Sequence, residues 1–341
     1  MYNLNMLKVA VDSSPLASGH AVRGIGVNTR ELLEGFKSVS HKNIQIYEIN
    51  FSKRGFIGFD VVHFQYFRPF FADLPSARPK SKVILTIHDL IPLIYPKHYP
   101  SGIKGEINFL KNKKLIRKNV DLIITISETS KKDICRFLGV DPKIVQVIYL
   151  APRPIFRKIE NGKWKMEIAK RYSLPNRFAL YVGDVNYNKN IPVLVEACKI
   201  AKMPLVICGK QAKGIENQDL RHPELKHLKN IDWTGVIRLG FVPDEDLVAF
   251  YNLASVYVQP SLYEGFGLPV LEAVACGTPV VVAKTQALVE ILGDDFDYVD
   301  AHDPKSMAKS ILNPNKGNKL PREYSWRKAA NETIEIYSKI A

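Results

Sequence analysis

Two glutamates, Glu264 and Glu272, enclose seven residues in the stretch SLYEGFGLPVLEAVACGTPVVV. Glycines and prolines predict a loop up to residue 269, and residues 270–276 predict a helix that stops at Gly277. One carboxylate then lies in the loop and the other in the first turn of the helix, where backbone N–H groups favour an anionic ligand. Two carboxylates that accept sugar hydroxyls around a phosphate cradle favour a nucleotide-sugar site. The structural alternative is a turn whose helical glutamate only complements the helix dipole.

Two candidate motifs in the first half of the chain follow predicted strands. Gly24 and Gly26 lie in RGIGVNT, where a backbone without side chains can approach a ligand at a helix N-terminus. The motif lacks the third glycine of a dinucleotide fingerprint, so a mobile linker is the alternative. His88 lies in TIHDLIP at the end of a predicted strand. A histidine–aspartate pair at a strand end is more often a structural hydrogen bond than a catalytic one.

The second half of the chain has its own motifs after predicted strands. In YVGDVNYNKN, Gly183 permits a tight turn, and Lys189 places a positive charge near a helix start. Such a charge suits a diphosphate, and the alternative is an exposed surface lysine. Two other pairs end neighbouring strands: Gly209 with Lys210, and Phe241 with Val242. By its residues alone, the second pair belongs to an ordinary turn before a helix.

The elements that must position these residues alternate between strand and helix, which indicates an α/β fold with parallel sheets and crossover helices. Ligands of such sheets bind beyond the carboxyl ends of the strands, where these motifs lie. The two prolines of LAPRPIF, residues 150–156, predict an interdomain linker. Strands are predicted at residues 8–11, 44–49, 61–64, 83–87, 122–126, 145–149, 178–182, 205–208, 236–239, 256–258, 280–282 and 298–299. Helices are predicted at residues 28–37, 104–118, 127–138, 191–201, 244–253, 270–276 and 325–340.

Composition bounds the class of protein. The 341 residues fit two domains, and 46% hydrophobic with 24% charged residues is ordinary for a globular protein with a substantial core. No apolar run reaches the roughly 20 residues of a membrane span, and no signal-peptide pattern is visible, so we expect a cytoplasmic protein. The cysteines have no CxxC spacing, which predicts free thiols, and the histidines have no zinc spacing. The four cysteines are Cys135, Cys198, Cys208 and Cys276.

A formal charge of +14 favours anionic partners, and residues 104–118 hold the densest basic run. The run predicts a helix whose apolar stripe, with Ile107, Leu110 and Leu115, packs on a sheet. Its basic face is either solvated or docked on an anionic membrane at the inner face of the cell. Nucleic-acid binding is disfavoured, because Phe109 is the only aromatic residue of the run and no DNA- or RNA-binding motif is present.

The pattern E-G-F-G-L-P-x-L-E-A-x-A-x-G-x-P-V-V, which contains both glutamates, resembles the signature of the retaining glycosyltransferase family numbered 4. The resemblance covers nearly the full chain and reaches the C-terminal YSWRKAANETIEIY. It implies the GT-B fold, in which two Rossmann-like domains with parallel sheets face a central cleft. Residues 1–152 would form the acceptor-side domain, residues 153–322 the nucleotide-sugar donor domain, and residues 323–341 a helix that crosses back to the first domain.

The resemblance also implies roles for the candidate residues. Glu264 contacts the transferred sugar, Glu272 holds the ribose hydroxyls, His88 lies beside the donor sugar and contacts its hydroxyls, and Lys189 faces the diphosphate. His88, Glu264 and Lys189 form the implied catalytic set. Backbone groups of the Phe241–Val242 region would read the nucleobase. The other implied donor-binding residues are Gly24, Gly26, Gly183, Gly209, Lys210, Gly265, Phe266, Gly267 and Leu268.

This chain departs from the family at the diphosphate site. Family members often read G-x-x-x-x-R-K-N where this chain has Asn188 before Lys189, and some carry a basic residue at the position of Asp184. The site would then have one positive charge fewer, and Arg23 or Lys210 could compensate.

The implied activity is transfer of a sugar, with retention and without metal or cofactor, from a nucleotide sugar to a glycan or lipid-linked acceptor. The wording HDLIP and GDVNYNKN is similar to mannosyl- and related transferases of surface-polysaccharide assembly, which favours GDP-mannose and leaves UDP- and dTDP-sugars open. One alternative is a nucleotide-sugar epimerase of GT-B fold, which would need further acid–base carboxylates. Another is a non-catalytic basic protein that binds membrane or nucleic acid.

Overall fold

The structure, a computed structural model, describes residues 6–41, 43–315, 317 and 319–341. It divides into two compact units. The first contains the described residues up to Pro96, then Pro100–Ala151 and Tyr324–Ala341. The second contains Lys97–Tyr99 and Pro152–Glu323.

The elements of the first half are strands and helices in close alternation. The strands are β1 (Leu7–Asp12), β2 (Ile44–Ile49), β3 (Val61–Phe64), β4 (Lys82–Thr86), β5 (Leu122–Thr125) and β6 (Val145–Val147). The helices are α1 (Gly24–Lys37), α2 (Ile91–Ile94), α3 (Gly102–Asn119) and α4 (Glu128–Leu138).

The second half continues the alternation. Its strands are β7 (Ala179–Val182), β8 (Leu205–Cys208), β9 (Val236–Gly240), β10 (Val256–Gln259), β11 (Val280–Ala283) and β12 (Tyr298–Val299). Its helices are α5 (Gly162–Arg171), α6 (Ile191–Ile200), α7 (Asp244–Leu253), α8 (Leu268–Ala275), α9 (Gln286–Leu292), α10 (Pro304–Leu312) and α11 (Trp326–Ile340).

The first sheet has the strand order β2-β1-β3-β4-β5-β6, and all its pairs are parallel. Its strands are short aliphatic runs such as β3, in which all four side chains are buried. Burial on both faces is the usual state of a parallel strand between two layers of helices. The chain leaves β1 first toward β2 and then toward β3, so the topological switch point lies between β1 and β3.

The second sheet is also parallel, in the order β12-β11-β10-β7-β8-β9. Read from β9, this is the 3-2-1-4-5-6 order of nucleotide-binding sheets, whereas the first sheet has the other common doubly wound order with one added strand. Its switch point lies between β7 and β10, and the loops that follow these two strands lie side by side. The predicted α/β class with two parallel sheets is confirmed.

Two helices carry well-defined capping residues. The Ser127 hydroxyl accepts from the backbone N–H of Ser130 at the start of α4, and Gly139 ends that helix in the left-handed region at φ 63°. The Ser325 hydroxyl caps α11 by accepting from the backbone N–H of Lys328. All four cysteines are free thiols, as predicted.

Helix α11 is held in the first unit by buried polar contacts. The Tyr337 hydroxyl lies 2.7 Å from Nδ1 of His63, and Nε2 of His63 lies 2.8 Å from the Thr86 hydroxyl. A Cβ at Gly35 of α1 would stand 3.0 Å from the Trp326 carbonyl oxygen, so α1 and α11 pack closely. Burial lowers the pKa of His63 to about 3, so the ring is neutral at pH 7.

Helix α3 corrects the prediction made for the basic run. Its buried residues are Gly105, Asn112, Ile116 and Asn119, and the Asn112 amide donates to the Pro69 and Phe71 carbonyls. The predicted stripe residues Ile107 and Leu110 are each 60% exposed. Ile107 and Leu110 therefore do not pack on the sheet. Helix α3 turns Ile116 inward together with small and polar residues, leaves Leu115 half-buried, and keeps Ile107 and Leu110 among its lysines.

Candidate active site

Lys189 and Glu264 form an ion pair across the switch point of the second sheet. Lys189 follows β7 and Glu264 follows β10, which are neighbouring strands. The Lys189 Nζ donates to both oxygens of Glu264, at 2.8 Å each. The Lys189 side chain is 23% exposed and that of Glu264 is 7% exposed. The carboxylate is thus nearly enclosed, and the ammonium group remains accessible to a ligand.

Polar residues of β10 and of the loop after it fix the Glu264 carboxylate. Its Oε1 accepts from the Gln259 amide at 2.7 Å and from the Ser261 hydroxyl at 2.6 Å, and the Tyr257 hydroxyl donates in turn to Gln259. Within the described part of the chain, Oε2 accepts only from Lys189. Because a carboxylate oxygen can accept two hydrogen bonds, Oε2 retains capacity for a sugar hydroxyl.

Asn188 has a structural role where a positive charge was expected. It is only 3% exposed, and its amide lies between two partners. Oδ1 accepts from the Tyr99 hydroxyl at 2.7 Å, and Nδ2 donates to the Tyr263 carbonyl at 3.1 Å. Asn188 therefore joins the loop that carries Lys189 to the loop that carries Glu264, and its side chain is not available to a diphosphate.

The second glutamate lies deeper than predicted. Helix α8 begins at Leu268 instead of residue 270, so Glu272 is in its second turn and not in its first. Gly267 at the N-cap has φ 113°, which favours glycine and allows the chain to enter the helix early. Glu272 is 2% exposed, and its Oε2 accepts from the Tyr251 hydroxyl at 3.1 Å. Its pKa is raised by burial and lowered in part by the guanidinium of Arg153.

Arg153 is a site residue that the sequence interpretation missed. Its Nε donates to Oε1 of Glu272 at 2.9 Å, and its Nη1 donates to Asp244. The guanidinium lies over the ring of Phe156, 4.5 Å from the centroid. The only signal in the sequence was a positive charge inside the proline-containing linker, where it had no visible partner.

The loop between Glu264 and α8 is closely packed. Phe266 is 3% exposed, and a Cβ at Gly267 would stand 2.6 Å from the Leu288 side chain. Gly265 is buried and Leu268 is half-buried. The side chains of this segment lie inside the unit. Any contact of the segment with a ligand would therefore be made by its backbone.

The other donor-site candidates of the second unit lie at the ends of β7, β8 and β9. A Cβ at Gly209 would stand 1.9 Å from the Gly183 carbonyl oxygen, so the ends of β7 and β8 require this glycine for packing. Lys210 is exposed beside it. The Val242 side chain is buried, at 4% exposed. The Phe241 side chain is 57% exposed and presents a ring on which a base could stack.

The first-unit candidates lie at the ends of β1 and β4. The Asn28 amide lies 2.8 Å from Nε2 of His88, and since the amide nitrogen donates, Nε2 accepts and the ring proton is on Nδ1. Burial, and next the charge of His20, lower the pKa of His88 to about 4. The ring is thus neutral at pH 7, which suits a contact with a sugar hydroxyl.

The two glycines of the same motif differ in their surroundings. A Cβ at Gly24 would meet no atom within 4 Å, whereas one at Gly26 would stand 2.3 Å from the His20 carbonyl oxygen. Gly24 therefore leaves open space at the start of α1, and Gly26 serves the packing of its own loop.

Two doubly wound parallel sheets, the second with a lysine and buried carboxylates beyond its switch-point strands, are the arrangement expected of the GT-B fold. A family model described as Glycosyltransferase Family 4 matches residues 20–151. A second model, described as Glycosyl transferases group 1, matches residues 165–331. Together the two matches take in most of the chain. The chain belongs to the family 4 glycosyltransferases and is an enzyme of that class.

Several similar proteins act on mannose. O-antigen chain mannosyltransferase B of Escherichia coli is 29% identical over 278 residues, which are 75% of this chain and 70% of that protein. The serotype-specific mannosyltransferase WbdA of E. coli is 27% identical over 285 residues. This match takes in 78% of the chain and 34% of WbdA, so the chain spans about a third of that longer protein.

Solved structures share the fold at low identity. Sucrose-phosphate synthase from Thermosynechococcus elongatus superposes with a TM-score of 0.65 at 17% identity, over 98% of this chain and 94% of that one. Anabaena HepE, in a complex with UDP and glucose, has a TM-score of 0.63 at 15% identity, over 98% of this chain and 95% of that one. These likenesses confirm the predicted GT-B fold.

None of the helices in the described part of the chain is both long and apolar enough to cross a membrane. No group of three or more histidine, cysteine, aspartate or glutamate side chains among the described residues could hold a metal ion.

Proposed function

We propose that the protein transfers mannose from GDP-mannose to a glycan or lipid-linked acceptor, with retention of anomeric configuration. The observation that carries the proposal is the Lys189–Glu264 pair at the switch point of a nucleotide-binding sheet. The mannosyltransferases among the relatives support the choice of sugar. They also favour transfer over the epimerase alternative.

In this proposal the second unit binds the donor along one edge of its sheet. Glu272 accepts the ribose hydroxyls, Phe241 stacks on the base, and the Glu264 Oε2 accepts a hydroxyl of the sugar. Lys189 donates to the diphosphate and stabilises the negative charge that develops as the bond to the sugar breaks. A phosphate oxygen of the donor takes the acceptor proton on the same face of the sugar. In the first unit, the His88 ring is neutral at pH 7, which suits contact with a hydroxyl group and not proton transfer.

A screen of nucleotide sugars tests this proposal. Wild-type enzyme is incubated with GDP-mannose, UDP-glucose, UDP-galactose and dTDP-rhamnose, and release of nucleoside diphosphate is measured with and without EDTA. We expect slow hydrolysis of GDP-mannose that EDTA does not change. Faster release from a UDP- or dTDP-sugar would overturn the donor assignment, and a rate that EDTA abolishes would overturn metal independence. An inverted anomeric product or a trapped glycosyl–enzyme adduct would contradict the mechanism.

The exposed side of α3 fits the surface of an anionic membrane, which would place the enzyme at the inner face of the membrane in the cytoplasm. Ile103 is 84% exposed, and Ile107 and Leu110 are each 60% exposed. Aliphatic side chains beside lysines allow insertion at the level of the headgroups together with attraction to anionic lipid. Four exposed lysines share the helix with them: Lys104, Lys111, Lys114 and Lys118.

Co-sedimentation with vesicles tests the docking. We expect binding to phosphatidylglycerol vesicles and not to phosphatidylcholine vesicles. Changing Lys111 and Lys114 to glutamate should remove most of the binding, since each basic residue near the surface contributes about 1 kcal/mol. The matched control changes Lys163 and Lys170 of α5 to glutamate and should bind as wild type. Equal loss in both double variants would show that only net charge matters and would contradict docking through α3.

A further inference from the structure

Arg153 is placed to act on two carboxylates at once. Its guanidinium donates through Nε to Glu272 and through Nη1 to Asp244. The Arg153 side chain is 11% exposed, against 3% for Glu272 and 35% for Asp244. A planar guanidinium with two engaged nitrogens fixes the orientation of both partners, which the point charge of a lysine would not do.

The surroundings of Arg153 hold it in place. Its guanidinium lies 4.5 Å from the ring centroid of Phe156, and that ring packs edge-on against Tyr251 at 5.3 Å. The Tyr251 hydroxyl then donates to the same Glu272 carboxylate, at 3.1 Å. Arg153 and Tyr251 thus fix Glu272 from two sides.

Asp244 connects this arrangement to the loop after β9. It is the first residue of α7, two positions after Val242 and three after the exposed Phe241. The N-cap of α7 is Pro243. The Asp244 carboxylate accepts from Nη1 of Arg153. Any shift of Arg153 would therefore reach both the glutamate of α8 and the start of α7.

We propose that Arg153 is a positioning residue for the nucleoside end of the donor. It orients the Glu272 carboxylate toward the ribose hydroxyls and, through Asp244, joins that carboxylate to the Phe241 loop. The inference rests on the proposed function, because it assigns the edge at Glu272 and Phe241 to a nucleoside. It adds a residue from the linker to a site otherwise built from the loops of the second sheet.

The charge of Arg153 has a second consequence. Glu272 is buried, and burial raises its pKa, which disfavours the ionised form that accepts hydroxyls best. The Arg153 guanidinium opposes this rise. In a variant without this guanidinium, Glu272 should take up its proton at a higher pH than in wild type. Nucleotide binding should therefore begin to weaken at a higher pH when the protein is acidified. The charged and titratable groups that face Glu272 are Arg153, Asp244, Tyr251, Tyr257 and Cys276.

Titration calorimetry with GDP, UDP, GMP and inorganic pyrophosphate tests the inference without turnover. We expect Arg153→Met to weaken GDP and GMP binding by the same factor, about 10- to 100-fold, as for loss of hydrogen bonds to a charged group. Pyrophosphate binding should not change, because it reports only on the diphosphate end. The matched control is Arg171→Met. It breaks an ion pair with Asp246, which lies in α7 as Asp244 does, and the variant should bind as wild type.

A double-mutant cycle separates positioning from general damage. If Arg153 acts through Glu272, Arg153→Met should cost much less affinity in a Glu272→Gln background than in wild type. In the Arg153→Met variant the acidic limb of the pH profile for GDP binding should move to higher pH, and Arg153→Lys, which keeps the charge, should return it. If Arg153→Met does not fold, the same cycle is run with Arg153→Lys, whose loss of the planar fork should also depend on Glu272.

The outcomes are distinguishable. If wild-type protein binds none of the nucleotides, the proposed function fails and this inference fails with it. If wild type binds and Arg153→Met binds equally well, only the inference is overturned. Equal losses in both backgrounds, or an equal loss for pyrophosphate, would also overturn it, since Arg153 would then serve only the fold.

Discussion

The two sheets carry different chemistry at their carboxyl ends. The histidines of the first sheet are neutral polar groups: the His88 ring lies beside Asn28, and the His63 ring lies beside Thr86. Burial keeps both rings neutral at pH 7. The second ends on charges, with carboxylates at Glu264 and Glu272, each paired with a cation.

Neutral and charged groups suit different kinds of ligand. Neutral donors and acceptors recognise hydroxyl groups at little desolvation cost, whereas a diphosphate and a ribose diol call for formal charges. An unpaired buried charge is costly, and Glu264 and Glu272 each have their own cation. Lys189 is the more exposed of the two cations, and it can turn from Glu264 to a phosphate.

The largest effect should come from removing that accessible cation. Lys189→Met should lower turnover about 100- to 1000-fold, the usual loss when one group that stabilises developing negative charge is removed. The KM for the donor should change much less, because the interaction strengthens as the diphosphate leaves. Steady-state kinetics with the donor identified in the nucleotide-sugar screen measure both values.

The chain supplies a matched control for this variant. Lys199 of α6 also forms an ion pair, 2.6 Å from Asp232, away from the switch point. Lys199→Met should retain wild-type turnover. Equal rates for Lys189→Met and Lys199→Met would show that the accessible cation does not act on the diphosphate, and the contrast between the two sheets would then be structural only.

A smaller effect of another kind should follow Glu272→Gln. The amide keeps the shape of the side chain and loses its charge, so ribose recognition should weaken and the donor KM should rise about 10-fold or more. Turnover at saturating donor should stay within a few-fold of wild type. Glu245→Gln, at an exposed position of α7, is the control. A variant with unchanged KM and reduced turnover would refute the ribose assignment and give both carboxylates the same task.

The sequence predicted most strands of both sheets because buried parallel strands are dense aliphatic runs between glycines and polar residues. Leu205–Cys208 was predicted to the residue. Four helices were missed: Ile91–Ile94, Gly162–Arg171, Gln286–Leu292 and Pro304–Leu312. Each is ten residues or shorter, and a segment this short gives too few turns for an apolar period to stand out.

The candidate site was predicted where its residues lie in distinctive local patterns. Lys189 and Glu264 stand in motifs with several glycines and asparagines, and the structure places them together. Arg153 and the structural role of Asn188 were missed, because their partners are distant in the chain and no local pattern reports them. The contact of His227 was missed for the same reason: its Nε2 lies 3.1 Å from the carbonyl oxygen of Val185, 42 positions away in the chain.

The smallest effect concerns the stability of the protein and tests whether the buried histidine rings are neutral. Burial lowers the pKa of His63 to about 3, and the pKa values of His88 and His227 to about 4. In the unfolded chain these rings take up protons near pH 6.5, while the folded rings do not. Their contribution to stability is therefore fully present above pH 6.5 and is lost progressively as the pH falls toward 4.

Each such histidine should lower the free energy of unfolding by about 1.4 kcal/mol per pH unit within that window. Urea unfolding at pH 7.0, 6.0 and 5.0 measures the slope, and two of the three rings belong to the first unit. His88→Gln removes one ring and should reduce the slope of the free energy of unfolding against pH by about 1.4 kcal/mol per pH unit, which corresponds to one proton. His222→Gln, at an exposed position, should leave the slope unchanged. An unchanged slope in His88→Gln would mean that the folded ring takes up its proton near pH 6.5. The first sheet would then carry a charge there at mildly acidic pH, and its difference from the second sheet would hold only at neutral pH.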